Sequence, residues 1–142
     1  MRDKSTSFVF LAVVVLFAIY FPLAGLIQRR DPVAPNIPGE KLLIRGSFIQ
    51  KKERGSFGYA YSITALGKLD RDPDSLEDSG RSPLLIYEND RLLGPAHSTH
   101  VDIQHIGLGR YSHWRNMGLI FSTSDNTNPN TNGRAYWVVN PS

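Results

Sequence analysis

The residues best suited to chemistry lie close together in the second half of the sequence. Imidazole binds zinc and exchanges protons near neutral pH. Histidines that share a metal ion are usually four residues apart on a helix or two apart on a strand, and no pair here has either spacing. We therefore expect the histidines to pack and hydrogen-bond around a loop–helix junction, without a metal or other cofactor. The weak candidates for metal ligands are all the histidines of the chain: His97, His100, His105 and His113.

An asparagine-rich segment follows, in which every second residue from Asn126 to Asn132 is asparagine. Alternating oxygen ligands are typical of calcium loops, but only Asp125 carries a full charge and the closing glutamate of an EF-hand is missing. A hairpin loop built from Asx turns, with Gly133 at a positive φ, explains the same residues without an ion. We favour the loop.

A sugar-binding site is the functional interpretation that we prefer. Aromatic rings offer apolar platforms to a pyranose, amides pair with its hydroxyl groups, and an arginine can meet an acidic sugar or order the loop. Tyr136 and Trp137 add further rings nearby. The alternative is that these aromatic residues belong to the core, with a hydrogen-bonded tip. The predicted ligand-binding residues are Tyr111, Trp114, Asp125, Asn126, Asn132 and Arg134.

Motifs for nucleophilic catalysis are weak. Ser98 and Ser112 each lie near a histidine, but neither is in a GxSxG elbow, and neighbouring residues of a strand point to opposite faces. The absence of cysteine excludes thiolate catalysis. A hydrolase or transferase that uses the His97–His113 cluster is therefore only our third hypothesis, and we lean against an enzyme.

An apolar N-terminal segment is predicted to attach this region to a membrane. After a tail at residues 1–7, 18 of the 20 residues from Phe8 to Ile27 are apolar and none is charged. This length predicts a single transmembrane helix at residues 8–27. The alternative is a cleaved signal peptide, although Leu23-Ala24-Gly25 lacks small residues at both required positions. Arg2 and Lys4 favour a cytoplasmic tail and therefore a periplasmic or extracellular domain. Arg29 and Arg30, on the other side of the span, favour the opposite orientation.

A proline-rich linker at residues 28–40 follows the predicted helix. Pro32, Pro35 and Pro38 are three residues apart, the period of a polyproline II spacer. A basic stretch from Arg29 to Arg54, with seven basic and three acidic residues, begins in the linker. It is suited to contact with the anionic headgroups of a lipid bilayer, and the alternative is a merely solvated face. The net charge of +3 is too small to favour nucleic acid as a partner.

Residues 41–142 are predicted to form one mainly β domain, an antiparallel sandwich or partly open barrel with one short helix. Apolar residues recur at every second position from 57 to 65, which predicts a strand with Phe57, Tyr59, Tyr61, Ile63 and Ala65 on one face. Residues 82–94 predict a hairpin that turns at Asn89-Asp90, and residues 117–123 and 134–139 predict further strands. Thr99 and Asp102 form a capping box, Val101, Ile103 and Ile106 an apolar stripe, and Gly107 a stop. Residues 68–83 read as an exposed acidic loop.

Residues 85–137 also carry a composite motif. It runs YENDRLLGPAHS, then GLGRYSHW, then FSTSDNTNPNTNGRAY. This pattern resembles a short bacterial module found beside surface-polysaccharide and methyltransferase-like proteins. The resemblance implies a defined folded unit and, by association, a glycan context in the cell envelope, and it assigns no catalytic residue.

These observations lead to one preferred function and one alternative. The preferred function is a membrane-anchored, non-catalytic recognition module for envelope or surface glycan, in the inner (cell) membrane with a single span. The alternative is a small single-span accessory subunit of a larger membrane protein complex, because the apolar surface of residues 8–27 can pack against other helices. Only 39 of the 115 residues from Gln28 onward are apolar, so the domain core must be small.

Overall fold

The computed structural model describes residues 13–22, 32–45, 47–53 and 56–142. The chain divides into two compact units, Met1–Pro32 and Val33–Ser142. In the first unit, residues 13–22 form a helix, α1, with exposed side chains. The remainder of the predicted span at 8–27, with the tail and the cleavage stretch, lies outside the described residues. Among the residues that are described, no helix has both the length and the apolarity needed to cross a bilayer.

The second unit contains two antiparallel four-stranded sheets, which confirms the mainly β prediction. The first sheet has the strand order β1-β8-β4-β5 and the second β2-β3-β7-β6. A 3-10 helix at Gly67–Leu69 and the short helix α2 at His100–His105 complete the described elements of this unit. The strands are β1 (Glu40–Ile44), β2 (Ile49–Glu53), β3 (Ser56–Ile63), β4 (Leu85–Glu88), β5 (Arg91–Leu92), β6 (Tyr111–Trp114), β7 (Gly118–Phe121) and β8 (Tyr136–Asn140).

Both sheets contribute side chains to one hydrophobic core. Val138 and Ile86 come from the first sheet, and Leu119 from the second. Aromatic rings join the sheets: the Phe48 ring meets those of Phe121 and Tyr136 edge-on, with centroids 5.3 and 5.1 Å apart. Such pairs add to the stabilisation that comes from burial alone. The core therefore relies on aromatic packing.

The alternation along β3 predicts its buried face only in part. Tyr61 and Ile63 are buried, whereas Phe57 is 62% and Tyr59 40% exposed. The reason is the register: β7 pairs with β3 only from Tyr61 to Ile63, so β2 is the only strand paired with the first half of β3. In that half, the face that carries Gly58 and Ala60 packs against α2, and Phe57 and Tyr59 lie on the opposite face. Ala65 is also exposed and lies beyond the strand.

The predicted helix start is confirmed at α2. The Thr99 hydroxyl accepts a hydrogen bond from the backbone N–H of Asp102 (3.1 Å), as an N-cap requires. The predicted apolar stripe is wrong apart from Ile103, which is fully buried, because Val101 and Ile106 face solvent. The buried residues of this six-residue helix are Ile103 and the polar Gln104.

Residues 68–83 are not simply an exposed loop, and that part of the prediction is wrong. Asp74, Ser75 and Ser82 are buried. The backbone of Asp74 pairs with β6: its N–H donates to the carbonyl of His113 (2.8 Å), and its carbonyl accepts from the N–H of Arg115 (3.0 Å). The segment thus lies along the free edge of β6 and brings its carboxylates to the histidines.

The tight turn predicted at Asn89-Asp90 is confirmed between β4 and β5. Asn89 has a φ of 56°, which asparagine tolerates well. The predicted strands at 117–123 and 134–139 correspond to β7 and β8.

Candidate functional site

A buried carboxylate holds a partly exposed histidine at the surface of the second unit. Asp74 has no exposed surface, and its two oxygens lie 3.0 and 2.9 Å from Nδ1 of His97. The backbone N–H of Ser82 donates to the same carboxylate at 2.9 Å. His97 itself has a φ of 54°, a left-handed conformation that is uncommon outside glycine and that asparagine, aspartate and histidine adopt more often than other residues. Backbone and carboxylate together fix the direction of this imidazole.

This pairing sets the chemistry of the other ring nitrogen. A carboxylate accepts hydrogen bonds, so Nδ1 carries the proton, and in the neutral ring Nε2 has a free lone pair. Among the described residues, none forms a hydrogen bond with Nε2 of His97. That nitrogen can accept a hydrogen bond from a ligand hydroxyl group or remove a proton from it.

His97 lies in the wall of a surface groove of about 430 Å³. The rings of Trp114 and His100 meet edge-on in this wall, with centroids 6.2 Å apart. The groove therefore combines an apolar surface with imidazole and hydroxyl groups. The described residues that line it are Ser79, His97, Ser98, Thr99, His100, Val101, Trp114 and Met117.

The β6–β7 hairpin explains why Trp114 and Met117 share the groove. Trp114 is the last residue of β6 and pairs with Gly118 at the start of β7. The turn between them is closed by the N–H of Met117, which donates to the carbonyl of Trp114 (3.0 Å), and Asn116 takes a φ of 65°. Both large side chains consequently lie at the tip of the hairpin.

His113 belongs to a different arrangement, below the surface. Its Nδ1 lies 2.9 Å from the Ser82 hydroxyl oxygen, and its Nε2 lies 2.9 Å from Oδ1 of Asp70. The residue types are those of a catalytic triad, but His113 is 1% and Ser82 6% exposed. A nucleophile must reach its substrate, so this network is a structural link between β6 and residues 68–83.

Of the other serines near histidines, Ser98 is hydrogen-bonded within the fold, whereas the Ser112 hydroxyl has no hydrogen-bond partner among the described residues. The hydroxyl of Ser98 donates to the carbonyl of Pro95 at 2.8 Å. Ser112 is buried. Of the remaining histidines, His100 lines the groove and His105 is exposed at the end of α2. In the described parts of the chain, no three metal-ligating side chains come together.

The arginine of the Asn-rich loop forms an ion-pair network. Two nitrogens of Arg134 lie 2.8 and 2.5 Å from the two carboxylate oxygens of Asp125. Arg134 also lies 3.1 Å from the buried carboxylate of Glu88, which accepts hydrogen bonds from the hydroxyls of Ser124 and Tyr136. Hydrogen bonds from Arg134 and then Thr127 hold the pKa of Asp125 below its ordinary range, and the Asp125 carboxylate raises the pKa of Arg134.

Asx turns build the loop itself. The side chains of Asp125, Asn128 and Asn132 each accept a hydrogen bond from the backbone N–H two residues later. Gly133 takes a φ of 71°. Asn126 accepts from the N–H of Leu108 (2.7 Å) and donates to the carbonyl of Ile106 (3.0 Å). The amides are thus engaged in holding the loop.

The six predicted ligand-binding residues do not meet at one place. Tyr111 is a core residue, 3% exposed, whose hydroxyl donates to the carbonyl of Leu84 (3.1 Å) and whose pKa is raised by burial to about 12. The Asn-rich loop follows the far end of the β6–β7 hairpin, where Tyr111 pairs with Phe121. Trp114 lies at the opposite end, and of the six it alone lines the groove.

Sequence reasoning missed Asp74, which organises the site. It stands among five acidic residues between positions 70 and 78, and nothing in its local pattern distinguishes it from its neighbours. The available signal was indirect: an acidic segment and a histidine cluster in one small domain. No family model, curated protein or solved structure matches this chain.

Proposed function

We propose that this protein is a non-catalytic glycan-recognition module and that a sugar binds in the groove beside Trp114. The observation that carries the proposal is the juxtaposition of the Trp114 ring and the oriented His97 in one groove. A pyranose presents an apolar face and a rim of hydroxyl groups, so it needs both kinds of surface from its binding site. The resemblance of residues 85–137 to modules beside surface-polysaccharide proteins supports the same ligand class.

Each part of the groove has a role in this proposal. The Trp114 ring stacks against the apolar face of the sugar, with Met117 and Val101 beside it. Nε2 of His97 accepts a hydrogen bond from a sugar hydroxyl group. Because Asp74 already fixes the imidazole, little rotamer entropy is lost when the sugar binds.

The positions of the carboxylates favour sugar binding over glycoside hydrolysis as the function of the groove. Glycosidases generally place two carboxyl groups on either side of the scissile bond. No carboxylate lines the groove within the described residues, and Asp74 behind it is fully buried and hydrogen-bonded to His97 and Ser82. A sugar in the groove therefore meets groups that hold it and no pair that would cleave it.

The proposal includes a membrane anchor. Residues 8–27 would form the single span, and the domain would face the periplasm or the cell exterior, where envelope glycans are found. The apolar sequence and the helix at residues 13–22 support this arrangement. Protease treatment of intact cells and spheroplasts tests it: cleavage within residues 33–142 in spheroplasts is expected, and protection in both would contradict it.

A glycan array probed with the full chain in detergent micelles tests the ligand class. We expect binding to a defined subset of glycans, and Trp114→Ala should weaken it about tenfold or more. Tyr59→Ala is the matched control because Tyr59 is an exposed aromatic residue outside the groove. Equal binding by both variants, or no glycan bound above background, would contradict the proposal.

The Asp74–His97 pair also favours a second candidate function, hydrolysis of an ester. In that reaction Nε2 of His97 takes a proton from water as the water oxygen attacks the acyl carbon, and Asp74 stabilises the imidazolium. The bond between the acyl carbon and the sugar oxygen then breaks, and the leaving sugar oxygen takes the proton back from Nε2, which gives acetate and the free sugar hydroxyl. Release of acetate from O-acetylated oligosaccharides, lost in His97→Gln, would support this function. Release at the rate of a protein-free control would exclude it for these substrates.

A further inference from the structure

The groove does not end at Trp114. A second depression of about 330 Å³ adjoins it, and the two share His100 and Met117 as walls. The far side of the second depression is formed by Lys51 and Lys52 of β2. Gln104 of α2 and the apolar side chains of Ala60 and Ile120 form its remaining walls. A ligand longer than one sugar ring can therefore continue from Trp114 towards the two lysines.

The lysine end of this surface is positively charged. Among the described residues, none that lines the two depressions carries a carboxylate. Within the described residues, no carboxylate forms an ion pair with Lys51 or Lys52. The ammonium of Lys52 lies 5.3 Å from the centre of the exposed Phe57 ring, which restrains the side chain. Lys51 is thus available to an anionic group of a ligand, whereas the ammonium of Lys52 is held over Phe57, which does not line the depression, and adds positive charge nearby.

The described acidic residues of the neighbouring segment do not line the depression that Lys51 and Lys52 line. Asp70 pairs with His113, Asp72 with Arg81, and Asp74 with His97. Glu77 and Asp78 remain, and Arg115 acts electrostatically on Glu77. These acidic residues belong to the segment that contributes Ser79 to the first depression, whereas Lys51 and Lys52 line only the second.

From this arrangement we propose that the ligand is an acidic oligosaccharide that occupies both depressions. One sugar ring stacks on Trp114, and a carboxylate or phosphate of a following residue binds Lys51, with Lys52 adding to the positive potential at that end. This inference rests on the proposed function and narrows its ligands to acidic oligosaccharides. Charge-assisted hydrogen bonds are stronger than neutral ones, so the acidic group should contribute selectivity as well as affinity.

The test uses the full chain in detergent micelles and an array of acidic oligosaccharides. Each uronic acid oligosaccharide is spotted beside its carboxyl-reduced form, which has the same linkages without the charge. We expect the acidic form to bind about tenfold more tightly at low salt and the difference to shrink at 0.5 M NaCl. Lys51→Gln/Lys52→Gln should abolish the difference and leave binding of the reduced form unchanged. Lys68→Gln, an exposed lysine outside both depressions, is the control.

The outcomes separate this inference from the proposed function. If both forms bind equally and Trp114→Ala still abolishes binding, the inference is wrong and glycan recognition stands. If no oligosaccharide binds, both are wrong. If the lysine variant loses binding to vesicles with 20% phosphatidylglycerol and its oligosaccharide binding is unchanged, the two lysines serve a lipid surface and the inference is overturned.

Discussion

Nδ1 of His97 lies 2.9 Å from one carboxylate oxygen of Asp74 and 3.0 Å from the other, although 23 residues separate the two in sequence. The carboxylate is completely buried, whereas the imidazole reaches the groove. A buried acceptor behind an exposed imidazole selects the ring tautomer and holds its orientation. The surface chemistry of the groove is therefore determined by a residue that no ligand can touch.

Asp74→Asn should reverse the hydrogen-bonding character of His97. The asparagine can still accept from Ser82, but its amide donates to Nδ1, so the ring proton moves to Nε2. A sugar hydroxyl that donated to Nε2 then loses its acceptor, and we expect glycan affinity to fall about tenfold. Long-range 1H–15N correlation spectra report the tautomer directly. The exposed Asp72→Asn change is the control, and an unchanged tautomer in Asp74→Asn would refute this account.

Local signals predict the turns and caps of this fold well. The Asn89-Asp90 turn, the Thr99 cap and the Asx turns of the Asn-rich loop each depend on residues only two or three positions apart. Such hydrogen bonds form wherever the surrounding chain permits, so their residue types are informative. The strands next to these turns follow with approximate bounds.

The site could not be predicted in the same way. The contacts of Ser82 with His113 and of Asp74 with His97 join an acidic segment to strands and loops more than 20 residues away. An acidic, breaker-rich segment predicts exposure because most such segments are solvated. Asp74 is buried instead because His97 and Ser82 satisfy its carboxylate. Exposure of Tyr111 was likewise undecidable from its sequence, since a ring on a strand can face either side.

His113→Ala should lower the free energy of unfolding by about 2–4 kcal/mol, because it removes a buried ring and leaves the Ser82 hydroxyl without that partner. Urea denaturation followed by tryptophan fluorescence measures the change. His105→Ala, at an exposed position, should stay within about 0.5 kcal/mol of wild type. Equal stability of the two variants would mean that the Ser82–His113–Asp70 network is not a structural link.

Asp125→Asn should give a pH-dependent loss of stability. Because Arg134 holds the pKa of Asp125 below its ordinary value of 3.8, the folded state favours the carboxylate. This contribution is fully present above the pKa of the unfolded chain and is lost as the pH falls towards the lower pKa of the folded state. The difference in unfolding free energy between wild type and variant should be constant above about pH 5 and narrow below about pH 4.

Salt provides the control for that prediction. The Arg134–Asp125 pair is partly exposed, so 1 M NaCl should reduce the difference between wild type and Asp125→Asn at pH 7. A difference that stays the same from pH 7 to pH 3 would show that the amide replaces the carboxylate without loss. The ion pair would then be irrelevant to the loop.

Gly58→Ala should loosen α2 and with it one wall of the groove. A Cβ atom at Gly58 would lie 2.1 Å from the backbone carbonyl oxygen of Gln104, so β3 and α2 would have to move apart. We expect a loss of about 1–3 kcal/mol in unfolding free energy and weaker glycan binding, because α2 carries His100. The matched control is Gly80→Ala, where a Cβ atom has no neighbour within 4 Å and no positive φ is required. That variant should keep wild-type affinity and equal or greater stability. Weak binding by Gly80→Ala, or full binding by a destabilised Gly58→Ala, would show that the position of α2 does not determine the groove.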